Sequence, residues 1–254
     1  MTDLNGKAAV VTGASRGIGE AAARELAAQG VAVVLAARST DDIARIAAEI
    51  RDAGGRAEAV ACNVTRYEDV VAAIEACQAA FGRFDILVNN AGLIEPIARL
   101  AESDPEDWVM VADVNYKGVY YGLRAAIPVM KRSGGGVTVN ISSAAATGVL
   151  EGWSHYCAAK AAVLSLTKSA HRENMQDNIR VVGVSPGTVA TDMQRTIQAS
   201  GINPVSMLDW SWHIPPEWVA EAVVWLITDA GREYDGGDFQ LKSREGKRAV
   251  GLVA

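Results

Sequence analysis

Short apolar runs and longer helix-patterned stretches take turns along almost the whole chain, and that alternation constrains the fold more than any single residue. The runs "KAAVVT" (Lys7–Thr12), "VAVVLAA" (Val31–Ala37), "AEAVACNV" (Ala57–Val64), "DILVNNAG" (Asp85–Gly92), "GGGVTVNISS" (Gly134–Ser143) and "NIRVVGVSPG" (Asn178–Gly187) read as strands, and "GDFQLK" (Gly237–Lys242) as a short last one. Strands that follow one another through a helix must lie parallel, because the connection has to cross back over the sheet. Strands covered on both faces are apolar throughout instead of alternating. The expectation is an α/β chain: one Rossmann-like domain over residues 1–254, with a doubly wound parallel sheet of about seven strands and helices on both faces. No repeat, low-complexity segment or linker interrupts it.

The helices have their own signals. "GIGEAAARELAAQG" closes on Gly30, a good C-terminal cap. "TDDIARIAAEIRDAGG" offers Thr40 or Asp41 as N-cap and gathers Ile43, Ile46, Ala47 and Ile50 on one face. Further helices are expected over Tyr67–Phe81, over roughly Asp104–Arg132, around Tyr156, and over "PPEWVAEAVVWLITDAG".

Composition narrows the partners. Half of the 254 residues are apolar, 21% are charged, and the formal net charge is −6. A mildly acidic chain is a poor match for nucleic acid or an anionic membrane surface. No stretch approaches the roughly 18 apolar residues of a membrane helix, and "MTDLNGKAAVV" lacks the basic-then-apolar order of a secretory signal. Cys62, Cys77 and Cys157 are an odd set without pairing spacing, which reads as reduced thiols in the cytoplasm. Neither they nor the three scattered histidines have metal-site spacing. The expected partner is a small molecule.

The first strand runs into "TGASRGIG", with Gly13, Gly17 and Gly19 at a strand-to-helix turn. Glycine permits tight turning and close backbone approach to a ligand, and the helix N-terminus that follows offers free N–H groups to a phosphate. At the start of a βαβ unit this is a dinucleotide-binding arrangement. Later, Tyr156 and Lys160 stand four apart, on one face of a helix. A free tyrosine has a pKa of about 10, and a cation one turn away favours its phenolate. Such a tyrosine can give a proton to a carbonyl oxygen and take one from an alcohol.

The spacing T-G-x-x-x-G-x-G resembles the short-chain dehydrogenase/reductase family, and the resemblance runs from about Leu4 to Leu241. "NNAG" (Asn89–Gly92), Asn115 in "DVNYKG", Ser143 thirteen residues before Tyr156, Tyr156-x-x-x-Lys160, and "SPGTVAT" (Ser185–Thr191) match its motifs in order. The resemblance implies a catalytic set of Asn115, Ser143, Tyr156 and Lys160. Ser143 would hold the substrate oxygen, Lys160 would also bond the nicotinamide ribose, and Asn115 would position a water leading to solvent. It implies cofactor contacts from Gly13, Ser15, Arg16, Gly17, Ile18, Gly19, Arg38, Asn63, Val64, Asn90, Ala91, Gly92, Tyr156, Lys160, Pro186, Gly187, Val189 and Thr191. His155 and Cys157 read as structural neighbours of Tyr156. Three departures stand out: Asn63 where aspartate is usual, Ser185 in place of the asparagine of N-P-G, and "KSREGKRAVGLVA" where the family commonly ends V-D-G-G.

A carboxylate at the end of the second strand marks preference for NAD(H). Here Ala37 occupies that place, Arg38 follows, and Arg16 stands in the glycine turn. Guanidinium groups suit a 2′-phosphate, so NADP(H) is expected over NAD(H), and reduction over oxidation. The stretch Asp192–Pro216 is the least family-like and is expected to be a substrate lid. Its Met193, Met207, Leu208, Trp210 and Trp212 either line a pocket for a greasy carbonyl or pack structurally. "EGWSHYCAAK" and "TDMQ" also resemble the benzil- and sepiapterin-reductase branch. Three functions remain open: an NADPH-dependent ketone or diketone reductase, an alcohol, polyol or steroid dehydrogenase working oxidatively, and a catalytically silent cofactor-binding protein. The resemblance implies a homotetramer or homodimer.

Overall fold

The structure is a computed structural model, and it describes residues 3–253. Its strands are β1 (Ala8–Thr12), β2 (Ala32–Ala37), β3 (Ala57–Ala61), β4 (Ile86–Asn89), β5 (Gly136–Ile141), β6 (Ile179–Ser185) and β7 (Asp238–Gln240). Its helices are α1 (Gly17–Ala28), α2 (Thr40–Asp52), α3 (Tyr67–Phe81), α4 (Pro105–Ala112), α5 (Gly118–Arg132), α6 (Ser154–Asn174), α7 (Asp192–Ser200), α8 (Pro216–Ile227) and α9 (Arg244–Val250). All seven strands are parallel, in the order β3-β2-β1-β4-β5-β6-β7. The order reverses between β1 and β4, and a crevice opens there beyond the strand ends.

Alternate residues of β1, β2, β4 and β6 feed two cores. Ala9, Val11, Val33 and Leu35 face α1, α2 and α8, while Ala8, Val10, Ala32 and Val34 face α3, α5 and α6. Both faces are covered, so β1 and β2 are buried at every position and apolar at all but Thr12. Fully burying one such leucine or valine contributes about 1.5–3 kcal/mol. β3 departs from the expectation. It is the edge strand, only Ala57 of its five residues is buried, and it stops at Ala61 where the sequence suggested Val64. β4 likewise stops at Asn89, which leaves "NAG" free as a loop.

Two polar devices cross these cores. Asn89 and Asn140 face each other in the β4–β5 register. Asn89 Nδ2 donates to Asn140 Oδ1 at 2.9 Å, Asn140 Nδ2 donates to Thr167 Oγ1 on α6 at 2.8 Å, and Thr167 Oγ1 donates to Val163 O. Gly122 on α5 makes room for the first amide, since a Cβ there would come within 2.2 Å of Asn89 Oδ1. At the other end of the sheet, buried Arg180 pairs with Asp235 and donates to Leu226, Ile227 and Thr228 carbonyls, the open C-terminal groups of α8.

Other boundaries also differ from expectation. The N-cap position of α2 is Ser39, not Thr40 or Asp41. The expected long helix from Asp104 is capped by Asp104, which accepts the Glu106 and Asp107 amides. It then widens into a π turn at Asp113–Lys117 before continuing as α5. α9, capped by Ser243, lies in the stretch for which the sequence carried no helix expectation.

Candidate active site

One cleft of about 610 Å³ runs along the strand ends from Arg38 to Val205. At its centre lies the glycine turn. Gly13 and Gly17 have φ of +64° and +56°, a region that disfavours side chains. A Cβ on Gly13 would sit 2.8 Å from Ala91 Cα, and one on Gly19 would sit 2.3 Å from Gly13 O. Gly19 therefore serves α1's close approach to the loop, and it is the one expected cofactor residue outside the cleft wall. Thr12 Oγ1 accepts the amides of Asn90 (3.0 Å) and Ala91 (3.2 Å) and donates to Val88 O. Asn90 Nδ2 donates to Thr12 O and Gly13 O. Its amide thus braces the phosphate loop. A rigid turn of bare backbone followed by the N-terminus of α1 fits a pyrophosphate.

At the adenosine end the wall is formed by Ala37, Arg38, Ser39, Cys62, Asn63 and Val64, with Arg16 opposite. Asn63 Oδ1 is occupied by Thr65 N–H and Oγ1. Its NH₂ remains to donate to an adenine edge. Among the described residues, Arg16 and Arg38 make no ion pair, so both guanidinium groups keep their donors available. Ser15, Ile18, Gly92, Pro186, Gly187, Val189 and Thr191 also line the cleft.

Ser143 follows β5, and Tyr156 and Lys160 rise from the first turns of α6. Ser143 Oγ accepts the Ala145 amide at 3.2 Å, which leaves its proton free to donate. The same hydroxyl lies close enough to Tyr156 to favour its phenolate. Lys160 Nζ donates to Ile141 O at 2.6 Å and lies 5.5 Å from the Tyr156 ring centre. The electrostatics differ from the sequence expectation. Burial pushes the Tyr156 phenol up to about 12, with the nearby Ser143 hydroxyl pulling the other way. Burial pushes Lys160 down to about 8, partly offset by Asp238. Removal from water outweighs the attraction between cation and phenolate, because each charge loses its hydration while Nζ is spent on a carbonyl.

Asn115 is buried outside the cleft wall, in the π turn. Its Oδ1 accepts Leu93 N–H and its Nδ2 donates to Leu93 O, both at 2.7 Å. His155 is structural, with Nε2 bonded to Ile94 O at 2.9 Å, and Cys157 is core. All three thiols are free and buried.

The far end of the cleft is lined by Ile94, Glu95, Ala145, Leu150, Trp153, Met193, Ile197 and Val205. Asp192, Gln194 and Thr196 also line it, while Met207, Leu208, Trp210 and Trp212 lie outside its wall. Met207 and Trp212 are 76% and 74% exposed, and Trp210 has Arg195 over its ring and His213 in a T-shaped contact. Of the expected apolar lid groups only Met193 reaches the cleft wall. Trp153, edge-on to Tyr156 at 5.6 Å, is the aromatic that sequence reasoning missed. Its position three residues before the tyrosine was the available signal. Among the described residues there is no metal-binding cluster and no helix long and apolar enough to cross a membrane.

Comparison with known proteins yields a match to the short chain dehydrogenase family model over residues 7–201. The chain is 37% identical to a 3-oxoacyl-[acyl-carrier-protein] reductase of Synechocystis sp., covering 93% of this chain and 95% of that protein. It is 40% identical to a cis-4-hydroxycyclohexanecarboxylate dehydrogenase of Sinomonas cyclohexanicum, covering 88% and 90%. It is 33% identical to a cyclohexanol dehydrogenase of Acinetobacter sp., covering 93% of each.

Proposed function

The chain belongs to the short-chain dehydrogenase/reductase family of oxidoreductases acting on the alcohol/carbonyl pair, and from that premise we propose an NADPH-dependent reductase of an apolar ketone or diketone. The observation that carries the reading is the meeting of Ser143, Tyr156 and Lys160 on the wall of the same cleft as the glycine turn. A bound nicotinamide supplies the hydride. Tyr156 holds the proton at its phenolic oxygen, ready for the carbonyl oxygen. Ser143, with its own oxygen tethered by the Ala145 amide, directs its O–H to the developing charge. Lys160 holds the cofactor ribose and makes proton exchange at Tyr156 easier. Asn115 fixes the backbone at Leu93, in the substrate wall.

NADP(H) is favoured over NAD(H) by the two unpaired guanidinium groups, with Ala37 in place of an acid. A second reading, oxidation of an alicyclic alcohol, draws on the relatives named for cyclohexanol and hydroxycyclohexanecarboxylate. The apolar far wall of the cleft suits either substrate. α7 and the turns up to Pro216 form the lid. The exposed Val109, Met110, Tyr116 and Tyr120 on α4, the π turn and α5 form the association face of a tetramer. Unpaired thiols agree with a cytoplasmic location. The test is a coenzyme-coupled screen of ketones, diketones and aldehydes for reduction, and of cyclohexanols for oxidation, with NADPH, NADH and their oxidised forms. Turnover of ketones with NADPH supports the first reading, and turnover confined to cyclohexanols replaces it with the second. Coenzyme binding without turnover of any substrate would sink both.

A further inference from the structure

β7 opens on an acid in a place prepared for it. Asp238 pairs in register with Gly183 of β6. A Cβ on Gly183 would come 2.8 Å from Asp238 Oδ1, so the missing side chain leaves space for the carboxylate. Asp238 Oδ2 accepts the Ser185 hydroxyl at 2.7 Å and Gln240 Nε2 at 3.0 Å. Oδ1 is buried and accepts no hydrogen bond. Ser142 Oγ is also buried, lies close enough to favour the ionised acid, and stops short of hydrogen-bond geometry. A carboxylate held on one oxygen and bare on the other has field to spare.

That field falls on Lys160. Lys160 is 5% exposed and its ammonium donates to Ile141 O, and Ile141 pairs with Val184, the residue before Ser185. Lys160 from α6 and Asp238 from β7 thus converge on the same two strand ends. Burial pushes the Asp238 carboxyl up and the Lys160 ammonium down, and the attraction between the two offsets each shift in part. Tyr156, one turn back on α6, is the other titratable group facing Lys160, and Lys242 lies further along the same cleft wall. β5 and β6 contribute the neutral Ser142 and Ser185 at this end. A buried ammonium with only a neutral carbonyl is costly, and a fixed opposite charge relieves that cost. Ser185 acquires a reason here. A short hydroxyl donates to the carboxylate where the asparagine of the usual motif would fill more of the space.

We propose that Asp238 is a positioning residue of this active site, the fixed negative charge that keeps the buried Lys160 ammonium protonated while it serves the coenzyme and Tyr156. This rests on the reading of Tyr156 and Lys160 as the proton-transfer pair. The test is an NMR titration of the Lys160 side chain, its signal assigned by its loss in Lys160→Met. Asp238→Asn should lower the titration midpoint by about one pH unit, a tenfold weaker hold on the proton. The alkaline limb of kcat/KM should move the same way, and Asp238→Glu should restore both. If the amide variant does not fold, Asp238→Ser carries the same comparison with a smaller neutral side chain. An unmoved midpoint in either folded neutral variant overturns the proposal, even if turnover falls. The titration needs no substrate, so it is independent of the assigned chemistry. Full turnover in Tyr156→Phe would sink that chemistry and leave the Asp238–Lys160 coupling to its own result.

Discussion

The side chain of Asn115 grips the backbone of Leu93 at both of its polar groups, accepting from the N–H and donating to the C=O at 2.7 Å each. The pair joins the π turn of one helical layer to the loop that follows β4 and enters the cleft. Asn115→Ala would strand two backbone groups, at about 1–3 kcal/mol each. Urea unfolding should show a loss in that range. Asn115→Asp keeps only the acceptor and should lose at least as much, since its carboxylate meets Leu93 O. Wild-type stability in both variants would mean the clamp is incidental.

Tyr156→Phe removes the proton donor but little volume, and the Trp153 contact can persist. Turnover should fall by about 10²–10⁴-fold, with coenzyme binding, read by fluorescence quenching, changed only slightly. Turnover within a few-fold of wild type would refute the assignment.

Lys160 ties activity to a stability cost. Its folded pKa lies near 8, below the ordinary 10.5. Below pH 8 the ammonium is charged in both states, and folding carries the burial penalty. Between pH 8 and 10.5 the unfolded chain binds a proton that the folded chain lacks, so this group's contribution to stability rises with pH. Cys62 and Cys77, pushed up to about 12 by burial, act oppositely above their ordinary value of 9, since the unfolded thiols ionise first. The clean window is therefore pH 8 to 9. Wild type should gain stability there and Lys160→Met should not. At pH 7 the inactive variant should be more stable by about 1–2 kcal/mol, the burial penalty less the lost hydrogen bond. A variant less stable than wild type at pH 7 would contradict this.

The coenzyme preference should reverse in the double variant Ala37→Asp, Arg38→Ala. Each tenfold change in preference needs about 1.4 kcal/mol, within reach of one charge-assisted pair. Steady-state kinetics with both coenzymes decide it. Equal or better kcat/KM with NADH in the unaltered chain would refute the preference.

Association through α4 and α5 should appear as a tetramer in light scattering at micromolar concentration. Replacing exposed Val109 and Tyr120 by lysine should shift the population toward smaller species. A monomer in the unaltered chain would remove this proposal.

The buried parallel strands were legible in the sequence because burial on both faces leaves an unbroken apolar run, as in "VAVVLAA". β3 was read too long because an edge strand obeys weaker rules, and "CNV" continues its pattern after the ladder has ended. The π turn is invisible in "DVNYK", whose composition is ordinary for a helix. The cleft residues were legible through spacing, since Ser143, Tyr156, Lys160 and the glycine turn belong to local motifs. Asp238 was not, because its role depends on an absence at Gly183 and a substitution at Ser185, far away along the chain. Nor did the tryptophans of "DWSW" announce which way they face. Trp210 packs against Arg195 and His213, and Trp212 stays exposed.

The central apolar strands pose a problem of identity, since "AAVV" and "AVVL" could exchange places in a parallel sheet with little change in buried area. The line from Asn89 through Asn140 to Thr167 answers it at the centre of the sheet. A neighbour other than β5, or a register slipped by one residue, would leave an amide sealed in hydrocarbon with nothing to bond. Replacing the line with well-packed aliphatic side chains could cost the folded state little. What would be lost is the penalty on every wrong arrangement, so the amides act chiefly on structures the protein never adopts.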